Sequence, residues 1–235
     1  MFREDPSGAA QMPSPAGAEA LSSPSSLSSG PDDTAHRILV AATQLFAEQG
    51  FSGTSLQQIA DEVGLRKASV LHWYPSKAAI RDAVLDGVFD HWQEAVPHVL
   101  AAATRGSSRL DGLMAEVFAF FEADPHRARV LLRESLDRPV FFRQHLQERL
   151  SGWFPLLVDS IRLGQATGRV HANLDPEVWL VEVILLVVSS VAVPSVAESL
   201  LMTSGTEVWQ RRRREVLRLV RASLFCTRPV GAISP

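Results

Sequence analysis

Residues 52–77 read SGTSLQQIADEVGLRKASVLHWYPSK, and two short helix patterns meet there across one glycine. Thr54 and Ser55 precede an apolar set at Leu56, Ile59, Ala60 and Val63, and Gln57 follows Thr54 at the spacing of a capping box, so a helix is expected to start near Ser55. Gly64 comes just after the last periodic residue and can adopt the left-handed conformation that ends a helix. A second short helix is expected from Arg66 to about Tyr74, where Pro75 stops it and Ser76 caps the next. The outline is helix, turn, helix.

The charge is placed locally. Arg66, Lys67, Lys77 and Arg81 face no Asp or Glu between Gly64 and Arg81, although the chain as a whole carries a formal charge of −3. Such a strip suits phosphate neutralisation while the second helix enters a major groove. Two small packed helices with a solvated basic face would leave a similar trace.

The segments TSLQQIADEV and GLRKASVLHWYPSK, with a preceding helix that ends FAEQGF, closely resemble the TetR family of transcriptional regulators over residues 33–81. The resemblance implies an all-α fold: a three-helix helix-turn-helix DNA-binding domain followed by a larger helical domain that binds a small effector and forms a homodimer. It implies double-stranded DNA as partner; Lys67, Ser69, His72 and Trp73 are expected on or near the exposed side of the second helix, Thr54, Ser55, Tyr74 and Lys77 toward phosphates, and Arg66 and Ala68 complete the expected DNA-binding set. The stretch GQATGRVHANLDPE at 164–177 looks like the turn that often precedes the family's dimerisation helices. Leu71 stands where the family usually has a phosphate-contacting tyrosine, and Arg66 where a capping serine is common, which implies rearranged phosphate contacts.

The chain of 235 residues, 46% hydrophobic and 21% charged, suits one or two globular domains. Cys226 is the single cysteine, so no intramolecular disulfide framework exists, and no basic segment joins an apolar run of signal-peptide length. The cytoplasm is the expected place.

Residues 1–31, rich in Ser, Pro, Gly and Ala, lack a periodic apolar face and are read as a disordered arm. Asp32 or Asp33 should cap the first helix, which buries Ile38, Leu39, Ala42, Leu45 and Phe46 and ends at Gly50. The DNA-binding domain then covers 32–81, the effector and dimer domain 82–226, and a tail 227–235. Helix four should run from Ser76 through Trp92, with Pro97 kinking or ending it, and Phe89 and Trp92 reaching into the body.

Further helices are expected at about 107–123, 125–136 and 140–166. Their aromatic stripes are mostly core, yet as a group Phe89, Trp92, Phe118, Phe121, Trp153 and Phe154 fit a pocket for an apolar or aromatic effector, with Glu182 a candidate polar contact or an internal partner for an arginine. The run 178–193 is the most hydrophobic of the chain, too short for a membrane span and interrupted by Glu182. A helix apolar nearly all round suits packing on its own body and on a second subunit, with a companion at 206–225; Val187, Val191, Val216, Leu219 and Val220 are the expected interface, and Arg211 to Arg214 its solvated end.

The seven histidines are scattered, without a metal-binding, nucleophile or phosphate-loop motif, so neither enzyme, metal nor cofactor is expected. The reading is a homodimeric repressor released from a palindromic operator by a small apolar ligand. Alternatives are a ligand-independent regulator or activator with the same head, and a sequestering or protein-interaction module with a degenerate head.

Overall fold

The computed structural model describes residues 31–102 and 106–226, and among them the regular structure is helical, with one isolated antiparallel bridge between Val170 and Phe225. The expected arm and tail lie outside the described residues, except that Pro31 already belongs to the first helix.

Three helices make the head. α1, Pro31–Gly53, begins ahead of Asp32 and Asp33, so neither aspartate precedes it as a cap. It breaks at Gly50, whose φ of 75° and ψ of 168° lie in a region that side chains rarely tolerate. α2, Leu56–Glu62, starts as expected, but its capping box sits one residue later than the Thr54 and Gln57 spacing suggested: Ser55 Oγ accepts from the Gln58 amide, and Gln58 reaches back to the Ser55 amide. Gly64, at φ 67°, turns the chain into α3, Lys67–Trp73, entered from Arg66 without a side-chain cap. Ile38, Ala42, Phe46, Ile59, Ala60 and Val70 fill the space between the three.

α4, Lys77–Ala102, is capped by Ser76 Oγ and runs through Pro97 without ending there. Ile80, Val84, Leu85 and Phe89 belong to the head core, and Val88, Trp92 and Val96 belong to the body core. Phe89 therefore lies on the head side of the boundary.

The body comprises α5, Gly106–Ala123; α6, His126–Asp137; α7, Pro139–Leu150; α8, Phe154–Ala166; α9, Pro176–Ala192; α10, Pro194–Leu201; and α11, Thr206–Leu224. The single helix expected over 140–166 is two, because Pro155 lacks the amide and its ring opposes the carbonyl a turn earlier, so a new helix starts at Phe154. Pro194 does the same after α9, and the unexpected α10 bends away by 75°. No single described helix is long and apolar enough to cross a membrane; the bent pair α9–α10 passes by length and composition alone.

α9 has two apolar sides. Leu180, Val187 and Val191 enter the body core, whereas Val178, Val181, Ile184 and Leu185 are exposed. Among the expected interface residues, Val187, Val191, Val216 and Val220 are core of the same chain, and only Leu219 lies open. The helical period was right, but it did not say which of the two apolar sides the chain would cover itself.

Candidate DNA-reading surface and internal cavity

The reading helix is positioned by short, local bonds. Leu65 N donates to Ala60 O at 2.8 Å across the turn, and Arg37 Nη2 donates to Val63 O at 2.7 Å, tying α1 to the end of α2. Val70 is fully buried beneath α3, so the opposite side of that helix faces outward with Lys67, Ala68, Leu71 and His72 exposed and Ser69 and Trp73 half-buried. Arg66 is exposed at its start. Burial raises the pKa of the half-buried Tyr74 phenol, which keeps it a neutral donor.

Three expected contacts turn inward. Thr54 is only 2% exposed, and its hydroxyl donates to Gly50 O at 2.9 Å, so it braces the α1 break instead of offering a donor outside. Lys77 Nζ lies 2.6 Å from both Phe51 O and Thr54 O and 4.3 Å from the Phe51 ring centroid. An ammonium so engaged locks the start of α4 to the loop after α1. Arg81 is 3% exposed, its guanidinium 4.7 Å from the rings of Phe51 and of Phe141 and bonded to Asp82. Of the four cations read as one strip, Arg66 and Lys67 remain outward.

The inward cations build a seam that the sequence reading missed. Arg138 lies 4.5 Å from the Phe141 ring, and the carboxyl of the buried Glu134 is pushed above the ordinary value by desolvation, against the lowering effect of Arg81 and with a raising effect from Asp137 and Asp82. Arg133 donates to Ala47 O at 2.9 Å and to Glu48 O at 3.1 Å, fastening α6 to α1. His145 stacks on Phe141 and stands 3.1 Å from Asp86, which Arg149 also grips. The only trace in the sequence was the density of arginine and carboxylate between 133 and 149, which reads equally as a solvated face.

An internal cavity of about 520 Å³ occupies the body. Phe89, Trp92, Phe121 and Trp153 line it as expected, together with Met114, Phe142, Leu146, Leu157 and Val183. Phe118 does not reach it: the ring is buried against Trp209 and beneath Arg213. Phe154 packs on the rim of the core away from the cavity, and Glu182 is exposed on the outer side of α9, neither lining the space nor buried with an arginine. Leu163, Ile184 and Leu185 line the cavity while remaining exposed, which marks its mouth between α8 and α9. Among the described residues, no three His, Cys, Asp or Glu side chains gather to hold a metal ion.

A sequence model of bacterial regulatory proteins, tetR family, matches residues 38–84, the whole of α2 and α3 with their flanks. The HTH-type transcriptional regulator RutR of Escherichia coli K12 is 34% identical over 144 residues, 61% of this chain and 58% of that protein. The HTH-type transcriptional repressor KstR2 of Mycolicibacterium smegmatis is 29% identical over 157 residues, 63% of this chain and 72% of the repressor. The chain thus spans well under two thirds of RutR. In fold, the transcriptional regulator FadR of Bacillus subtilis, solved with stearoyl-CoA, superposes with a TM-score of 0.64 at 17% identity, over 80% of this chain and 98% of its own.

Proposed function

Because the chain belongs to the TetR family of bacterial regulatory proteins, we propose that it is a homodimeric transcriptional repressor, acting in the cytoplasm and not as an enzyme, that leaves a palindromic operator when a small apolar molecule enters the body. The observation that carries this reading is the pairing, in one chain, of an outward α3 with a cavity of about 520 Å³ whose wall includes Phe89, a member of the head core. A guest that moves Phe89, or Phe142 and Leu146 on α7, pushes on side chains that also pack against the head. A ligand that fits the two arrangements unequally shifts the population between them.

Base reading falls to Lys67, Ser69, His72 and Trp73. Phosphate contact falls to Ser55, Arg66 and Tyr74, with the pocket lined by Phe89, Trp92, Phe121 and Trp153. The dimer forms on the exposed apolar side of α9, Val178, Val181 and Leu185, with Leu219 of α11. Glu182 lies in that apolar face, and α11 exposes Arg211 and Arg214, so a two-fold pair matches acid to base as well as apolar to apolar. The names of KstR2 and the stearoyl-CoA complex of FadR accord with repression and with an apolar guest.

Selection of duplexes from a randomised pool, followed by titration over a salt series, tests the proposal. An enriched palindrome is expected, with half-sites one helical turn or a multiple apart. Lys67→Ala should flatten the salt slope by about one unit if it touches phosphate, and relax specificity if it touches a base edge. No enriched sequence would sink the DNA reading.

A further inference from the structure

The cavity is not uniform along its length. On the side of the head its wall is hydrocarbon and aromatic, from Phe89, Phe142 and Leu146, whereas its two cationic members are Arg109 and Arg169. These arginines are sixty positions apart, but the fold brings them to one end. Arg221 Nε donates to Asp111 Oδ1 at 2.9 Å, fixing the start of α5 to the end of α11. Cys226 N donates to Arg169 O at 3.1 Å, and Val170 pairs with Phe225, fixing the loop after α8 to the same end of α11.

That end is remote from the DNA-reading surface, since α4 leaves the head at Lys77 and α5 begins beyond its far terminus. Along α5 the lining runs from Arg109 to Phe121, a rise of about 18 Å. A volume of about 520 Å³ drawn out over that length is narrow. Arg169 is exposed, and its guanidinium has no partner among the described residues, while Leu157 and Ile161 of the cavity wall are buried.

We propose that the cavity takes a straight-chain amphiphile with an anionic head, its carboxylate held at the rim by Arg169 and Arg109 and its tail directed toward Phe142 and Phe89. This rests on the effector-cavity reading above. A carboxylate carried wholly into the apolar space would lose its hydration without compensation; at a partly exposed arginine it keeps water and gains charge-assisted hydrogen bonds. The tail then ends where the wall is shared with the head core, so chain length, more than head chemistry, sets how hard the guest presses on α4 and α7.

Calorimetric titration of the full chain with decanoate, 1-decanol and decyltrimethylammonium tests this. Decanoate should bind about tenfold more tightly than 1-decanol, and the cation more weakly than either. From octanoate to dodecanoate, affinity should rise about fourfold per methylene. Arg169→Gln should bring the ratio of decanoate to decanol affinity toward one. Equal affinities of the wild-type chain for decanoate and 1-decanol, or a ratio that survives in the Arg109→Gln, Arg169→Gln double variant, overturn the anionic head and leave the cavity reading standing. Failure of all three compounds to bind overturns both.

Discussion

In the head, Ile38, Ala42, Ile59, Ala60 and Val70 have no exposed surface at all and fill the space between three helices, whereas α4 to α9 and the end of α11 close round a space of about 520 Å³. The two regions use the same residue types to opposite ends. A reading helix of seven residues is too short to be stable by itself, so it holds its angle only if the core beneath it is full. The body has longer helices and can leave a gap between them. A dense head and a hollow body make sense together only if something rigid joins them, and that is the seam of Phe51, Arg81, Glu134, Arg138 and Phe141.

Breaking the seam should have the largest effect. Arg81→Ala removes a buried cation from between two rings and leaves Glu134 buried without its compensating charge, which should cost about 3 kcal/mol in denaturant unfolding. A loss below about 1 kcal/mol would mean that head and body are held together elsewhere.

Overfilling sharpens the contrast between the two regions. Ala60→Leu forces bulk into a core without room and should cost about 1–3 kcal/mol, while Val183→Phe grows into the cavity and should change stability by less than about 1 kcal/mol. The same Val183→Phe should weaken binding of any cavity ligand. Equal destabilisation by the two substitutions would show that the cavity wall is as unyielding as the head.

The smallest effect is in pH. Burial raises the folded-state carboxyl of Glu134 above its unfolded value, so folding favours its protonated form. The cost of ionising it is absent below the ordinary carboxylate range and grows as pH rises from there through the raised folded value. Melting temperatures of Glu134→Gln and wild type should therefore diverge across that window, with the variant the more stable above it, since Arg81 keeps Asp82. Parallel curves would place the carboxyl in water.

Much of the head was legible because its determinants are local. Ser55, Gly64, Pro75 and Ser76 each fix the backbone within one turn of themselves, and the structure moved the capping box by one position and the start of α1 ahead of Asp32 and Asp33. Pro155 and Pro194 were equally local signals, and reading through them merged α7 with α8 and lost α10. The inward turn of Thr54, Lys77 and Arg81 was not legible, because a cation among apolar neighbours in sequence shows nothing of the rings and carbonyls that other helices bring to it.

The sequence by itself determined the all-helical class, the helix-turn-helix and the presence of an apolar helix with more hydrophobic surface than one neighbour can cover. Only the tertiary structure decided which of the four cations, Arg66, Lys67, Lys77 and Arg81, point outward and which hold the molecule together, which side of α9 is core, and that Phe89, Trp92, Phe121 and Trp153 share a cavity from which Phe118 and Phe154 are excluded. The reason lies in range. Capping, turns and periodicity act over three or four residues, while a cavity and a buried charge are properties of several helices at once, set by distances between atoms far apart along the chain.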